Sequence, residues 1–341
     1  MTHLVLIAWS FLAQVPAQDS VSSSPRVHKI AVGGEGGWDY LTVDPDARRL
    51  YVSRGNRVVV LDLDKEEVVG DLKDTRGIHG IAIVPELGKG FTSNGGDSSV
   101  TVFDIKTLKA TGKIKARGTP DAILYDPASK RVITFNHRTN DGTSIDPATE
   151  KVVGTIDFGG EPEAAVADGK GHVFVNIRSS SEIAEFDALT LKILNRWPLA
   201  PGQRPNGLAL DAKHRRLFSG CNGNSRMVVM DADHGSVLAT VDIGRGSDGC
   251  GFDPAKGLAY SSNGGDGTVT VIRESGPGTF KVVSTIQTQA TARTMTVDPR
   301  THRLYLPAAT PMPAPAGAQP KTKGGRRGTV PGSFVIIVVG D

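Results

Sequence analysis

The chain has few aromatic residues, and no common catalytic or nucleotide-binding signature stands out in it. Phe, Trp and Tyr make up 6% of its 341 residues, too few for one large aromatic core but ample for several thin cores between sheets. No Cys-x-x-Cys or His-x-His metal motif is present. No P-loop, nucleophile elbow or dinucleotide fingerprint stands out either. The commonest enzyme motifs are therefore not found in the sequence, and no activity is indicated by a motif.

Neither sign of charge is in excess. The chain has 39 Lys and Arg against 36 Asp and Glu, a net charge of +3. Basic residues do not form a long run outside one late loop. Nucleic acid is therefore not indicated as the main partner.

The chain does contain a sequence repeat of roughly 42 residues, which occurs seven times. Four copies contain an Asp-Pro pair, starting at Asp44, Asp126, Asp253 and Asp298. Three weaker copies are anchored at Val84, Asp168 and Asp211. A fixed period in this range is typical of propellers and solenoids.

Each repeat predicts four short strands. In the second repeat, apolar residues alternate with polar or small ones along four segments, as half-buried strands require. These segments are Gly80–Val84, Gly90–Ser93, Val100–Phe103 and Ala110–Ile114. The prediction is an all-β, seven-bladed propeller of four-stranded antiparallel blades.

The ends of the chain predict how the ring closes. The last repeat ends with Ser333–Val339 as its third strand, and no fourth strand follows. Residues 26–32 have the pattern of a fourth strand and precede the first repeat. We expect this N-terminal strand to complete the last blade, which removes open sheet edges. Residues 26–341 are then one propeller domain.

The first 17 residues resemble a secretory leader. Residues 4–12 form a short apolar segment, and Val15-Pro16-Ala17 supplies small residues for cleavage before Gln18. The segment is too short to span a bilayer. We expect a periplasmic or secreted protein, with 18–25 as a flexible linker and no transmembrane segment in the mature chain.

An oxidising compartment permits a Cys221–Cys250 disulfide, and two free thiols packed between blades are the alternative.

Several segments resemble the repeats of YVTN-type seven-bladed propellers, and the whole chain resembles the exported YncE-like group. The segments are Leu50–Asn56, Phe91–Asn94, Tyr260–Val271, and the Val-Val-x-Thr-Ile steps at Val152–Ile156 and Val282–Ile286. The resemblance spans residues 26 to 340 and implies the fold. It implies no catalytic set, because propellers host both enzymes and scaffolds.

One aligned position predicts a ligand site. Five residues before each repeat anchor, the chain carries Asp39, His79, Asp121, Glu163, Asn206, Asp248 and Arg293. Propellers usually bind ligands where the innermost strands begin, at the mouth of the central channel. A position that keeps polarity but varies identity suits an asymmetric ligand, although contact with channel water alone also favours polar residues there. At the ends of the second strands, Asn94, Asn263, His137 and Arg178 are further candidates, the asparagines also suiting turns.

Carboxylates dominate this predicted mouth and would attract a cation. Oxygen ligands suit calcium, and a histidine would admit zinc or another transition ion. No cofactor is certain.

Between residues 308 and 331 lies an insert rich in Pro, Ala and Gly with four basic residues, which is either a lid over the mouth or a flexible loop.

Three functions remain open from the sequence. The first is an exported monomeric module that binds a small molecule or protein at the channel mouth, without catalysis. The second is a divalent-metal-dependent hydrolase of lactonase type, with Glu163, Asn206 and Asp248 around the ion. The third is an accessory subunit of a redox complex, since similar propellers accompany quinoprotein dehydrogenases. The identity of the ligand is not encoded in any motif.

Overall fold

Seven four-stranded antiparallel sheets form a ring of blades in the computed structural model, which describes residues 25–313 and 328–340. The predicted all-β, seven-bladed propeller is confirmed. Among the described residues the one helix is a 3₁₀ turn at Pro85–Leu87, closed by Gly88 in the left-handed conformation. No helix in those residues is long and apolar enough to cross a membrane.

Chain order and sheet order coincide in blades 1 to 6. Blades 1 and 2 contain β2 (Leu41–Asp44), β3 (Arg49–Arg54), β4 (Arg57–Asp62), β5 (Glu67–Leu72), β6 (Ile78–Val84), β7 (Lys89–Asn94), β8 (Ser99–Asp104) and β9 (Lys109–Lys115). Blades 3 and 4 contain β10 (Pro120–Asp126), β11 (Arg131–Asn136), β12 (Asp141–Asp146), β13 (Lys151–Asp157), β14 (Pro162–Ala167), β15 (His172–Ile177), β16 (Glu182–Asp187) and β17 (Ile193–Pro198). Blades 5 and 6 contain β18 (Pro205–Asp211), β19 (Arg216–Cys221), β20 (Arg226–Asp231), β21 (Val237–Asp242), β22 (Ser247–Asp253), β23 (Leu258–Asn263), β24 (Thr268–Gly276) and β25 (Thr279–Gln287).

Blade 7 joins the two ends of the chain, as predicted. It contains β26 (Thr296–Val297), β27 (Leu304–Ala308), β28 (Val335–Val339) and β1 (Val27–Ala31). The N-terminal strand β1 pairs antiparallel with β28, from Val27 opposite Val339 to Ala31 opposite Val335. The fourth strand of the last blade therefore comes from the start of the chain.

The hydrophobic core lies between blades. The described buried apolar side chains fall into seven clusters, and each cluster draws on two adjacent blades. Tyr51 of blade 1 and Phe103 of blade 2, for example, are fully buried in one cluster with ring centroids 6.0 Å apart. Few aromatic residues suffice because each interface buries only one to three of them.

The turns at the repeat anchors also link neighbouring blades. Asp298 is fully buried, and Arg48 of the next blade donates to its Oδ2 at 2.7 Å. Burial alone would raise the pKa of Asp298, but the hydrogen bonds from Arg48, the Arg300 N–H and the Thr301 hydroxyl hold it below its usual value. Arg215 binds Asp168 of the preceding blade in the same way, at 3.1 Å. These two carboxylates therefore connect adjacent blades of the ring.

The two cysteines are free thiols in this structure, which selects the alternative of packed thiols over the disulfide. Cys221 lies at the end of β19 and is buried, while Cys250 in β22 is partly buried. Burial raises the pKa of Cys221 to about 11 and that of Cys250 to about 12. Both are therefore protonated at neutral pH and poor nucleophiles.

Replacing Ile30 with alanine tests ring closure. Ile30 of β1 is 6% exposed and packs in the cluster shared by blades 7 and 1. Removing a buried isoleucine side chain should lower the free energy of unfolding by about 2 to 5 kcal/mol. The measurement is the midpoint of urea denaturation. Val27→Ala is the control, since Val27 lies on the same strand but is 39% exposed, and equal effects of the two changes would contradict this account.

Acid should remove the contribution of the Arg48–Asp298 pair. Asp298→Asn is expected to cost about 1 to 3 kcal/mol at neutral pH. Because the folded-state pKa of Asp298 is depressed, this stabilisation is complete above about pH 4 and is lost as pH falls through the lower folded-state value. Thermal melts of both proteins across that range should converge in acid.

The control for that titration is Asp64→Asn. Asp64 accepts from the same arginine at 2.9 Å but its side chain is 64% exposed. A surface pair of this kind contributes less than about 1 kcal/mol. A pH-independent gap between wild type and Asp298→Asn would contradict the titration.

Candidate functional site

A cavity of about 920 Å³ lies at the mouth of the central channel. All seven residues predicted at the start of the innermost strands line it, together with His137 and Arg178. We call these seven residues, one from each repeat, the mouth ring: Asp39, His79, Asp121, Glu163, Asn206, Asp248 and Arg293. The structure therefore brings them together at one opening.

β-Bulges turn the mouth ring toward the channel. In blades 2 to 6 the register of the innermost strand shifts at the ring residue, as between Pro120 and Ile123 around Asp121. A bulge places an extra residue on one strand and re-aims its side chain. In blades 1 and 7 the ring residue precedes the paired strand, since β2 begins at Leu41 and β26 at Thr296.

Side chains from one blade fix the backbone of the ring residue on the next blade. Thr294 donates its hydroxyl to the Asp39 carbonyl at 2.6 Å, and Ser262 donates to the Arg293 carbonyl at 2.5 Å. Asn176, which is fully buried, donates to the Asn206 carbonyl at 3.0 Å. The mouth is therefore assembled by contacts between blades, before any ligand enters.

Arg293 joins two carboxylates on one side of the mouth. Its Nη1 donates to Asp39 Oδ1 at 3.1 Å and to Asp248 Oδ2. Burial alone would lower the pKa of Arg293, but the charges of Asp39 and Asp248 raise it. The Asn206 amide donates to Asp248 Oδ1 at 2.6 Å. In this arc, from blade 5 through blade 7 to blade 1, both carboxylates accept hydrogen bonds from side chains of the mouth ring.

A histidine joins the next two carboxylates. His79 Nδ1 lies 2.7 Å from Asp39 Oδ2 and 3.3 Å from Asp121 Oδ1. Burial alone would lower the pKa of His79, but its hydrogen bond to Asp39 and the charge of Asp121 raise it. A Cβ at Gly95 would lie 2.8 Å from His79 Nε2, so glycine permits this close approach.

In the arc of blades 3 to 5, several buried polar atoms lack hydrogen-bond partners. Burial and the charge of Asp39 raise the pKa of Asp121 to about 7. Burial and the charge of Asp121 raise that of Glu163 well above its usual value, although Arg178 donates to Glu163 Oε1 at 2.6 Å. Asp121 Oδ1, Asn206 Oδ1 and His137 Nδ1 are buried and make no hydrogen bond. Polar atoms without partners therefore concentrate here.

Two groups of side chains have metal-ligand spacing: Asp39, His79 and Asp121, and Asp121, His137 and Glu163. The set predicted from the sequence was Glu163, Asn206 and Asp248. Asn206 gives its amide hydrogens to Asp248, and Glu163 accepts from Arg178. The histidine-containing groups instead lie on blades 1 to 4.

Asn94 and Asn263 do not line the cavity, which corrects their expected position. Both are fully buried. Asn94 Nδ2 donates to the Ser99 and Thr101 hydroxyls, and Asn263 makes the equivalent bonds to Thr268 and Thr270. Each amide thus joins the second and third strands of its blade.

Sequence reasoning missed two aromatic residues of the site. Trp38 and Tyr40 flank Asp39 and line the cavity. Tyr40 also packs against the core cluster of blades 3 and 4, so its ring reaches across the channel from blade 1. Trp38 Nε1 is buried without a hydrogen-bond partner. Two aromatics after a glycine-rich stretch, on either side of a ring residue, were the available signal.

The ends of the late insert reach the cavity. Pro311 pairs with Thr329, and both residues line the mouth with Gly328. The basic residues of the insert, 321, 323, 326 and 327, lie outside the described residues, so the lid interpretation remains a prediction.

No protein-family model matches the chain, and no curated protein matches it in sequence. Solved structures match in fold. The WD40 repeats of RRP9 give a TM-score of 0.76 at 9% identity, over 93% of this chain and 99% of that one. A U3-55K structure gives 0.74 at 10% identity over 92% and 98%, and a chain of the mitotic checkpoint complex gives 0.73 at 12% over 90% and 95%. At such identities the similarity establishes the propeller fold alone.

Arg293→Met should destabilise the protein strongly. The change leaves the charges of Asp39 and Asp248 without the guanidinium that bridges them, and breaking a buried pair costs about 3 to 5 kcal/mol. Chemical denaturation measures this loss. Arg245→Met is the control, because Arg245 is 80% exposed in its pair with Asp266 and should cost less than about 1 kcal/mol.

A second change separates charge from packing. Adding Asp248→Asn to Arg293→Met removes one of the two stranded charges and should recover part of the loss. No recovery, or equal costs for Arg293→Met and Arg245→Met, would contradict the bridging role.

Proposed function

We propose that the protein is an exported binding propeller of the YVTN type, and that its mouth recognises a positively charged group on its ligand. The leader-like N-terminus and the repeat residues support the export and the family. The observation that carries the function is the charge of the mouth. Four carboxylates line it, against two guanidiniums.

The distribution of partners supports a cationic ligand. Arg178 pairs with Glu163, and Arg293 is shared by two aspartates. Among the described residues, the basic side chains within 4.0 Å of the Asp121 carboxylate are two histidines, His79 at 3.3 Å and His137 at 4.0 Å. A buried carboxylate without a full countercharge is costly, and a cation beside it relieves that cost.

Size and polarity support a small group as the part recognised. The volume of about 920 Å³ falls in the usual range of ligand cavities. A lysine side chain of a partner protein and a free polyamine share the chemistry that the mouth would recognise. Asp121 Oδ1 and Asn206 Oδ1 are acceptors without donors, and an ammonium group supplies donors.

Two cations test this recognition. Protein side chains cannot coordinate either of them as they would a free metal ion, so any binding reports charge and hydrogen bonding. Spermidine and hexaamminecobalt(III) both carry positive charge and N–H donors, and citrate serves as the anionic counterpart. At saturation we expect either cation to raise the melting temperature by about 2 to 4 °C. Asp121→Asn should abolish the shift, because the ring then lacks its least compensated charge.

The matched control is Asp233→Asn, which makes the same change of net charge. Asp233 pairs with Arg215 on a turn between the third and fourth strands of blade 5, and its side chain is 49% exposed. That variant should respond as wild type does. A citrate response equal to that of the cations, or equal responses of the two variants, would contradict a cation-binding mouth.

A further inference from the structure

One arc of the mouth has the composition of a metal site. Asp121, His137 and Glu163, from blades 3 and 4, each offer a ligand atom, and these atoms all lie within 4.8 Å of one another. Asn206 on blade 5 is 5% exposed, lines the same cavity, and has an unpartnered Oδ1. Two carboxylates and an imidazole thus lie within coordination distance of one another, and an amide oxygen belongs to the same cavity lining.

We infer that Asp121, His137 and Glu163 bind one divalent first-row transition-metal ion, with Asn206 Oδ1 as a further oxygen ligand. The inference rests on the proposed function, that the mouth takes a cation, and assigns a metal ion rather than an ammonium group to this arc. Mixed imidazole and carboxylate ligands suit Zn²⁺ or Mn²⁺, whereas Ca²⁺ prefers oxygen alone.

The neighbouring group of Asp39, His79 and Asp121 is a poorer site. Its histidine nitrogen Nδ1 already lies 2.7 Å from Asp39 and 3.3 Å from Asp121. The nitrogen is therefore committed to hydrogen bonding within the ring.

His137 and Glu163 are prepared for coordination in different ways. The Nδ1 atom of His137 is buried and makes no hydrogen bond. Glu163 is held by Arg178 at 2.6 Å, which fixes one oxygen and orients the carboxylate. A doubly charged ion would offset the mutual repulsion of the two carboxylates.

The test begins with the full chain, stripped with a chelator and dialysed. Titration calorimetry with ZnCl₂, followed by elemental analysis, should give one Zn²⁺ per chain. MnCl₂ and CaCl₂ are titrated in parallel, and Ca²⁺ should bind most weakly. Asp121→Asn and His137→Ala should each weaken Zn²⁺ binding at least about tenfold.

His172→Ala is the matched control variant. His172 Nδ1 lies 2.8 Å from Glu185, and the two residues are on the second and third strands of blade 4. Neither residue lines the cavity, so they form a histidine–carboxylate pair away from the mouth. This variant should bind Zn²⁺ as wild type does. Melting temperatures of the apo variants establish that each one folds.

A spectroscopic readout tests directly whether His137 is a ligand. Loading wild type with Co²⁺ should produce paramagnetically shifted imidazole proton signals, and these should be missing in His137→Ala alone. The inference is overturned if folded wild type retains no ion, if Ca²⁺ binds more tightly than Zn²⁺, or if His172→Ala weakens binding as much as His137→Ala. If hexaamminecobalt(III) still binds in those cases, the cation-binding mouth stands without a metal centre. If it does not, both proposals fail.

Discussion

Burial between blades is the constraint on which the rest of this protein depends. Every core cluster of the described residues is shared by two adjacent blades, so a terminal blade would leave one apolar face in water. The pairing of β1 with β28 removes that face by joining the chain ends in one sheet. Repeat proteins that stay open need polar caps at their ends, whereas this ring closes on itself.

Closure also explains why unlike side chains meet at one opening. A shared repeat position places one residue per blade around a common axis, and the bulges at the start of the innermost strands turn those residues inward. Hydroxyls and amides then hold the ring carbonyls from the neighbouring blade, as Thr294 holds Asp39. The same contacts that orient the mouth ring therefore also connect the blades.

The repeat period was enough to predict blade number, closure and the membership of the mouth ring, because all three follow from alignment of the repeats. The ion pairs within the mouth ring could not be predicted from the sequence. Arg293 bridges Asp39 and Asp248, and this contact depends on distances across the channel. Asn94 and Asn263 show a second limit. Asparagine suits an exposed turn and a buried amide ladder equally, and only the positions of the neighbouring Ser and Thr hydroxyls separate the two. Tyr40 was missed because it contacts blades distant in sequence.

The mouth is asymmetric in its electrostatics although the blades are alike in shape. Around blades 7 and 1 a guanidinium serves two aspartates, while around blades 3 to 5 buried oxygens lack donors and the pKa values of Asp121 and Glu163 are raised. A purely structural ring would gain stability by pairing every charge, or by replacing charged residues with apolar ones of similar volume. Buried polar atoms without partners and perturbed pKa values are found more often at functional sites than elsewhere. A cation placed at that arc would complete the same pattern of alternating charge that Arg293 establishes on the opposite side.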